Sequence, residues 1–195
     1  MANPAETGSP LLAARGVVAG HQQPVVGPLD LELVGGEVVG LGGPNGVGKS
    51  TLLHALAGTG TLFAGGVERR PGLRLAVQPQ RPERPDELPL TGRELLATLG
   101  IRHPAPRLTP LLDARIDTLS GGEYQRLIIA ACLDSDADLV LLDEPTNNLD
   151  PATIDALSTD ILAAAAAGRG VLVISHETAF LERVCHRRVE VTPWT

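Results

Sequence analysis

The chain has 195 residues, of which 43% are apolar and 2% aromatic, and its formal net charge at pH 7 is -7. This length fits one domain with its own core, and the acidic balance argues against a general surface for binding DNA or RNA. Two cysteines are too few for a disulfide framework or a metal cluster, and the longest apolar run, from Ile161 to Ala167, is far shorter than the roughly 20 residues that cross a bilayer.

The first part of the chain predicts a strand, a glycine-rich loop and a helix. After ten polar residues that we expect to form a frayed terminus, residues 29–33 (LDLEL) alternate with the period of a half-exposed strand. Residues 37–41 (EVVGL) are a continuous apolar run, which is typical of a strand buried in a parallel sheet. The segment GPNGVGKST (43–51) comes directly after it, and apolar residues then recur at helical spacing as far as Gly58. A phosphate-binding loop requires this order of elements.

The middle of the chain predicts an insertion. Residues 61–77 suggest a short ribbon, and the proline-rich segment PQRPERPDELPL (79–90) argues against regular structure. Residues 90–99 look helical, and three prolines interrupt residues 104–110. We interpret residues 81 to about 118 as a small helical subdomain. It is inserted into a single domain, 1–195, whose core covers about 12–80 and 119–191.

The last part of the chain predicts strands that alternate with helices. Helices are expected at 121–133, 150–168 and 177–185, and buried strands at 138–145 (DLVLLDEP) and 170–175 (GVLVIS). Asp150-Pro151 offers an N-cap and a proline at the first helical position. The alternation predicts an α/β fold with a mostly parallel sheet. Because ligands bind beyond the carboxyl ends of such strands, the glycine loop, Asp143-Glu144 and Ser175-His176 are expected to meet at one site.

The loop at 43–51 contains the only lysine of the chain, Lys49, although arginine is abundant. An ammonium is a compact point charge that can reach two phosphates, whereas a guanidinium is a wide planar fork. Gly43 and Gly48 let backbone N–H groups surround phosphate oxygens, and the Ser50 hydroxyl can bind Mg²⁺. The simpler alternative is a glycine-rich turn that only caps a helix, and the strand and helix on either side argue against it.

Two acidic residues come after the apolar run LVLL. A carboxylate at the end of a buried strand, such as Asp143, is costly unless it meets a cation, and Mg²⁺ bound to a phosphate would be that cation. Glu144 could then polarise the water that attacks the terminal phosphate. The alternative is a pair of acids that starts a turn before Pro145, and the glycine loop makes that alternative the weaker one.

The segment LSGGEYQR (119–126) contains a second phosphate-binding feature. Ser120 and Glu123 have the spacing of a capping box for the following helix. Capping does not explain Gly121 and Gly122, which weaken a helix start but leave N–H groups bare at its positive end. One chain needs only one site for a terminal phosphate, so two copies facing each other would explain the second feature.

These motifs carry a family resemblance. GPNGVGKST, LSGGEYQR, LVLLDEPTNNLD and VISH, in this order and spacing, resemble the nucleotide-binding domain of ATP-binding cassette (ABC) ATPases over about residues 12–190. The resemblance implies a P-loop NTPase with a mostly parallel central sheet, a small antiparallel ribbon and a short inserted helical subdomain. It implies ATP and Mg²⁺ as ligands.

The resemblance also assigns roles to single residues. It implies nucleotide binding by Gly43, Pro44, Asn45, Gly46, Val47, Gly48, Lys49, Ser50 and Thr51. Asp143 would hold the metal together with Ser50, Glu144 would be the catalytic base, and His176 would be the switch histidine. Across a dimer interface, the resemblance implies contacts by Ser120, Gly121, Gly122, Glu123 and Asp150.

Two positions are less regular. The segment VQPQ offers both Gln78 and Gln80 as the glutamine that touches Mg²⁺, and the offset to LPLT (88–91) favours Gln80. Family members usually stack an aromatic residue on adenine just before the first core strands. This sequence has none there, and His21 is the nearest substitute.

Two functions are compatible with the resemblance. In the first, the protein is the ATPase subunit of an importer of metal ions or metal chelates, as GEYQR and LPLT suggest. It would pair with a second copy or a related subunit and act on a separate membrane permease, at the cytoplasmic face of the cell membrane and without nucleic acid. Residues 1–14 lack the features of a signal peptide.

In the second possible function, the protein is an ABC-F-like ATPase acting on ribosomes, because EPTNNLD and SHETAFLERV resemble segments of those proteins. Their paired cassettes and basic linker are missing here. A DNA-repair ABC ATPase is more remote because the long coiled coil is absent.

Overall fold

A computed structural model describes residues 9–80, 82, 89–102 and 104–195 of the chain. Residues 1–8 of the expected frayed terminus (1–10), and residues 81 and 83–88 of the proline-rich segment, lie outside the described residues. The strands are β1 (Leu12–Gly20), β2 (Pro24–Leu33), β3 (Val38–Gly42), β4 (Thr61–Arg69), β5 (Leu75–Gln78), β6 (Leu139–Asp143), β7 (Gly170–Ile174) and β8 (Arg187–Glu190). The helices are α1 (Lys49–Ala57), α2 (Gly92–Thr98), α3 (Thr109–Leu112), α4 (Gly121–Asp134), α5 (Pro151–Ala166) and α6 (Thr178–Val184), and a 3₁₀ turn (Pro106–Leu108) precedes α3.

The strands form two sheets. Five of them pair in parallel in the order β5-β6-β7-β3-β8, and three pair antiparallel in the order β2-β1-β4. This arrangement confirms the predicted α/β fold with a mostly parallel sheet and a small antiparallel one. The ribbon expected over 61–77 is wrong in its second half, because β5 pairs with β6 inside the parallel sheet.

The buried strands divide their side chains between two cores. In β3, Val39 and Leu41 belong to the cluster that contains α1 and the antiparallel sheet, whereas Val38 belongs to the cluster with α5 and α6. The same division holds along β6 and β7. Strands covered on both faces need apolar residues at every position, which explains the continuous apolar runs of the sequence.

A third core joins the inserted segment to α4. Leu95 and Leu96 of α2 and Leu111 and Leu112 of α3 form one cluster with Leu127 of α4. Other residues of α4 belong to the cluster beneath the parallel sheet. Helix α4 therefore connects the insertion to the sheet, while the predicted domain limits at 81 and 118 stay a prediction. None of the described helices is both long and apolar enough to cross a membrane.

The parallel sheet brings three loops to one edge. Strands β3, β7 and β6 are neighbours in the sheet, and their register pairs Ile174 with Leu41 on one side and with Asp143 on the other. The segments after these strands are the glycine loop, the turn at His176 and the turn at Glu144. They meet at the carboxyl edge, where ligands of open α/β sheets bind.

Candidate functional site

The loop from Gly43 to Gly48 needs glycine for conformation and for space. Gly43, Gly46 and Gly48 have φ angles of 132°, 78° and 101°, which residues with a Cβ rarely adopt. A Cβ on Gly43 would lie 2.8 Å from the carbonyl oxygen of Val191, and one on Gly48 would lie 2.9 Å from Cβ of Val26. The loop is therefore pressed between β2 and the end of β8. It leads into α1, whose N-terminus adds positive potential.

The surroundings of Lys49 explain why this position has a lysine. Its Nζ donates hydrogen bonds to the carbonyl oxygens of Gly43, at 2.9 Å, and Pro44, at 3.1 Å, and the residue is buried. The ammonium is thus folded back beneath its own loop. A wide guanidinium does not match two carbonyl oxygens only five and six residues away, so the narrow position selects lysine over arginine.

Asp143 has the surroundings of a metal ligand. It is 1% exposed, Ser50 Oγ donates to its Oδ1 at 3.1 Å, and its buried Oδ2 has no hydrogen-bond partner among the described residues. Burial raises the pKa of Asp143, with a smaller contribution from the charge of Glu144, and the hydrogen bond from Ser50 opposes the shift. A carboxylate oxygen and a hydroxyl at this spacing are hard oxygen ligands of the kind that Mg²⁺ prefers.

Glu144 is held in an unusual backbone conformation. Its φ angle is 49°, in the left-handed region, where a residue other than glycine costs about 1–3 kcal/mol. Its N–H donates to the carbonyl oxygen of Ile174 at 2.9 Å. Its Oε2 accepts from the backbone N–H of His176 at 3.2 Å and lies 2.8 Å from Nδ1 of the same histidine. The neighbouring strand therefore fixes both the backbone and the carboxylate of Glu144.

Gln125 supports the same turn from α4, and it is not among the residues predicted from the sequence. Its Nε2 donates to the carbonyl oxygens of Glu144, at 3.1 Å, and Pro145, at 3.3 Å, and the side chain is 4% exposed. The N–H of Asn147 also donates to the Glu144 carbonyl, at 3.3 Å. The sequence does contain an indication of this role. Gln125 precedes the buried Ile129 by one helical turn, so a polar side chain lies on the apolar face of α4.

The segment at 120–123 forms the predicted capping box at the start of α4. The Ser120 hydroxyl accepts from the N–H of Glu123, and Oε2 of Glu123 accepts from the N–H of Ser120. A Cβ on Gly122 would lie 2.7 Å from the carbonyl oxygen of Asn148, so glycine lets α4 approach the turn after β6. Asp150 caps α5, as predicted, by accepting from the N–H of Thr153 at 3.0 Å.

A single open cavity of about 450 Å³ gathers most of the predicted nucleotide site. Among the residues that line it are Lys49, Ser50, Thr51, Gln80, Glu144 and His176. Gln80 reaches this cavity, whereas Gln78 is fully buried and donates to the carbonyl oxygen of Asp143 at 3.3 Å. His21 lies at the edge, with Nε2 3.4 Å from Oγ1 of Thr51. In the part of the chain that the structure describes, none of Ser120, Gly121, Gly122 and Glu123 lines the cavity.

Known proteins resemble this chain in both sequence and fold. The family described as "ABC transporter" matches residues 26–147. The chain is 38% identical over 192 residues to the zinc import ATP-binding protein ZnuC of Paracoccus denitrificans, which covers 93% of this chain and 76% of that protein. It is 37% identical to the ATP-binding protein Uup of Caulobacter vibrioides over 96% of this chain, but over only 31% of that protein. A solved ATP-binding subunit of an ABC transporter matches with a TM-score of 0.82 and 26% identity, over 93% of this chain and 86% of that one.

Proposed function

The chain belongs to the ABC transporter family of ATP-binding proteins and is an ATPase, and from this premise we propose that it drives import of a metal ion or metal chelate through a separate membrane permease. The observation that carries the proposal is the shared cavity. Lys49 and Ser50 meet Glu144 and His176 there, at the carboxyl edge of the parallel sheet. The likeness to a zinc import protein supports the class of cargo.

ATP binds with its phosphates in the loop from Gly43 to Thr51. Backbone N–H groups and the α1 N-terminus surround the phosphate oxygens, and Lys49 contacts the β and γ phosphates. Ser50, Asp143 and Gln80 would hold Mg²⁺, with Gln80 supported by its position at the cavity. When bound, this ion neutralises charge between the β and γ phosphates.

Hydrolysis uses the carboxylate of Glu144. It accepts a proton from the water as the oxygen of that water forms a bond to the γ-phosphorus. The bond between the γ-phosphorus and the β–γ bridging oxygen breaks in the same displacement, and ADP leaves together with inorganic phosphate. His176 orients that carboxylate through the 2.8 Å contact between Nδ1 and Oε2. The backbone N–H of His176 donates to the same oxygen, so the carboxylate of Glu144 is held in one orientation.

The segment from Ser120 to Glu123 acts on the ATP of a second subunit. It lies outside the cavity of its own chain, and the N–H groups of Gly121 and Gly122 belong to the first turn of α4, at its positive end. A head-to-tail pair would place this helix end opposite the γ-phosphate of the partner, with Asp150 near the same interface. The second subunit is another copy of this chain or a related ATPase subunit.

The permease docks at the inserted helical segment, which puts the protein at the cytoplasmic face of the cell membrane. Action on ribosomes is the weaker alternative, because the match to Uup covers less than a third of that protein. No nucleic-acid partner is expected from a chain of net charge -7.

The test uses Glu144→Gln, which keeps the shape of the side chain but removes the base. The tagged variant is purified with ATP from detergent-solubilised cells, and the proteins that accompany it are identified. An integral membrane protein in equal amount is expected, and it should disappear in the double variant Glu144→Gln, Lys49→Ala, which does not bind ATP. Ribosomal proteins in its place would contradict the transport proposal and support the alternative.

A further inference from the structure

We propose that Phe63 supplies the aromatic surface on which the adenine of ATP stacks, from β4 and not from the segment between β1 and β2. This inference rests on the proposed ATP site. The glycine loop holds only the phosphates, and a base beyond them gains from an aromatic face. Residues 16–25 contain no aromatic ring larger than the imidazole of His21.

The chain offers few rings for this purpose. It has four aromatic residues, all in the described part, and the structure buries Tyr124 and Phe180 in the cores. Phe63 and Trp194 are 41% and 43% exposed. A base-stacking ring must have a free face, so these two residues are the candidates.

Phe63 lies beside the end of β1, next to His21. Strand β4 pairs with β1 so that Thr61 lies opposite Gly20, the residue before His21. A Cβ built on Gly20 would lie 1.9 Å from the carbonyl oxygen of Gln23 and 3.0 Å from Cε2 of Phe63. The ring of Phe63 therefore lies directly beside the backbone at position 20.

This position is one residue from a side chain that contacts the lining of the phosphate cavity. His21, the next residue, lies 3.4 Å from the hydroxyl of Thr51. Thr51 lines the cavity and belongs to the first turn of α1. Thr51, His21 and Phe63 thus form a path from the phosphates outward to an exposed aromatic face. A nucleotide whose phosphates sit in the loop can extend its ribose and base along this path.

Trp194 is the competing ring. Its N–H donates to the carbonyl oxygen of Val25 at 2.9 Å, and Val25 also lines the cavity. The segment that carries Trp194 is also bonded to β2 by the bridge between Val26 and Pro193 and by the N–H of Gly27, which donates to the carbonyl oxygen of Thr192 at 3.1 Å. We favour Phe63 because its ring lies beside position 20, next to His21 and its contact with Thr51.

Calorimetry with ATP and with inorganic tripolyphosphate tests the assignment, because tripolyphosphate has no base. Phe63→Ala should weaken ATP binding by about 5- to 150-fold, the range for loss of one stacked ring, and leave tripolyphosphate binding unchanged. Phe63→Tyr should keep the affinity for ATP. Leu62→Ala is the matched control, because Leu62 is a similarly exposed apolar residue of the same strand, and it should change neither affinity.

A spectroscopic test reports proximity directly. In the double variant Phe63→Trp, Trp194→Phe, the only indole lies at position 63, so ATP should change its fluorescence and tripolyphosphate should not. Unchanged ATP affinity in Phe63→Ala, with a loss in Trp194→Ala, would overturn the assignment while leaving the ATP site intact. An equal loss for both ligands in Phe63→Ala would also overturn it. If the unaltered chain binds neither ligand, the proposed function fails as well.

Discussion

Two of the described helices carry the same cap, and only one of these two has a proposed contact with ATP. Thr91 caps α2 and Ser120 caps α4. In each, the hydroxyl accepts from the N–H three residues later at 3.3 Å, and a glutamate Oε2 accepts from the N–H of the cap at 2.8 Å. Thr91→Ala is therefore a matched control for Ser120→Ala.

The structure sets the size of the expected effects. Loss of an N-cap hydroxyl costs about 1 kcal/mol, so both variants should unfold about 2–4 °C below the unaltered protein. Ser120→Ala should in addition lose a hydrogen bond to the charged γ-phosphate of the partner subunit. Such a bond contributes about 1.5–3 kcal/mol, which corresponds to a fall in ATPase rate of about 10- to 150-fold.

Thermal unfolding by circular dichroism and ATP turnover at saturating ATP measure the two effects separately. Equal losses of turnover in the Thr91 and Ser120 variants would mean that helix stability, and not a contact with ATP, controls the rate. If both variants lose stability and neither loses turnover, the proposed contact across the dimer is wrong.

Three further predictions concern buried groups. Gln125→Ala should lower kcat of ATP hydrolysis without changing the Kd for ATP, because it removes the support of the Glu144 backbone; a change confined to Kd would argue against this role. Lys49→Arg should abolish ATP binding in calorimetry while the unfolding temperature stays within a few degrees, and retained binding would show that the narrow position accepts a guanidinium. Burial raises the pKa of Cys132 to about 12 and that of Cys185 to about 11, so at most about one thiol in 10³ is ionised at pH 8. Iodoacetamide should therefore modify the buried Cys132 only after unfolding and the half-buried Cys185 slowly in the native protein, as mass spectrometry can measure, and rapid labelling of Cys132 in the native protein would contradict its burial.

The sequence predicts those parts of the fold that local patterns encode. The runs at β3, β6 and β7 are apolar at every position because both faces are covered, and the start of α5 is encoded by Asp150 and Pro151. The carboxyl-edge location of Asp143, Glu144 and His176 is a consequence of the same strands. The cavity that gathers Glu144 and His176 with the glycine loop is the structural counterpart of that prediction.

Pairing between distant segments could not be predicted from such patterns. The segment at 75–78 looks like part of a ribbon in sequence, and only its pairing with β6 assigns it to the parallel sheet. Strands β1 and β8 also lack a recognisable strand pattern in the sequence, since β1 is buried along most of its length and β8 is short and polar. Phe63 is the clearest case. It is separated from Gly20 by more than 40 residues, and only the pairing of β1 with β4 brings its ring to that position.

Gln125 shows how the proposed dimer would connect its two ATP sites. Its amide is bonded to the backbone of Glu144, and the helix that carries it begins just after Ser120. In the proposed head-to-tail pair, one end of α4 would contact the ATP of the partner, while a side chain one turn later holds the backbone carbonyl of Glu144, the proposed base, in its own subunit. Because the left-handed conformation of Glu144 costs free energy, its carbonyl needs these donors to stay in place. A shift of α4 on closure of the dimer would therefore act on Glu144 through the hydrogen bonds that Gln125 donates, without any contact between the two nucleotides.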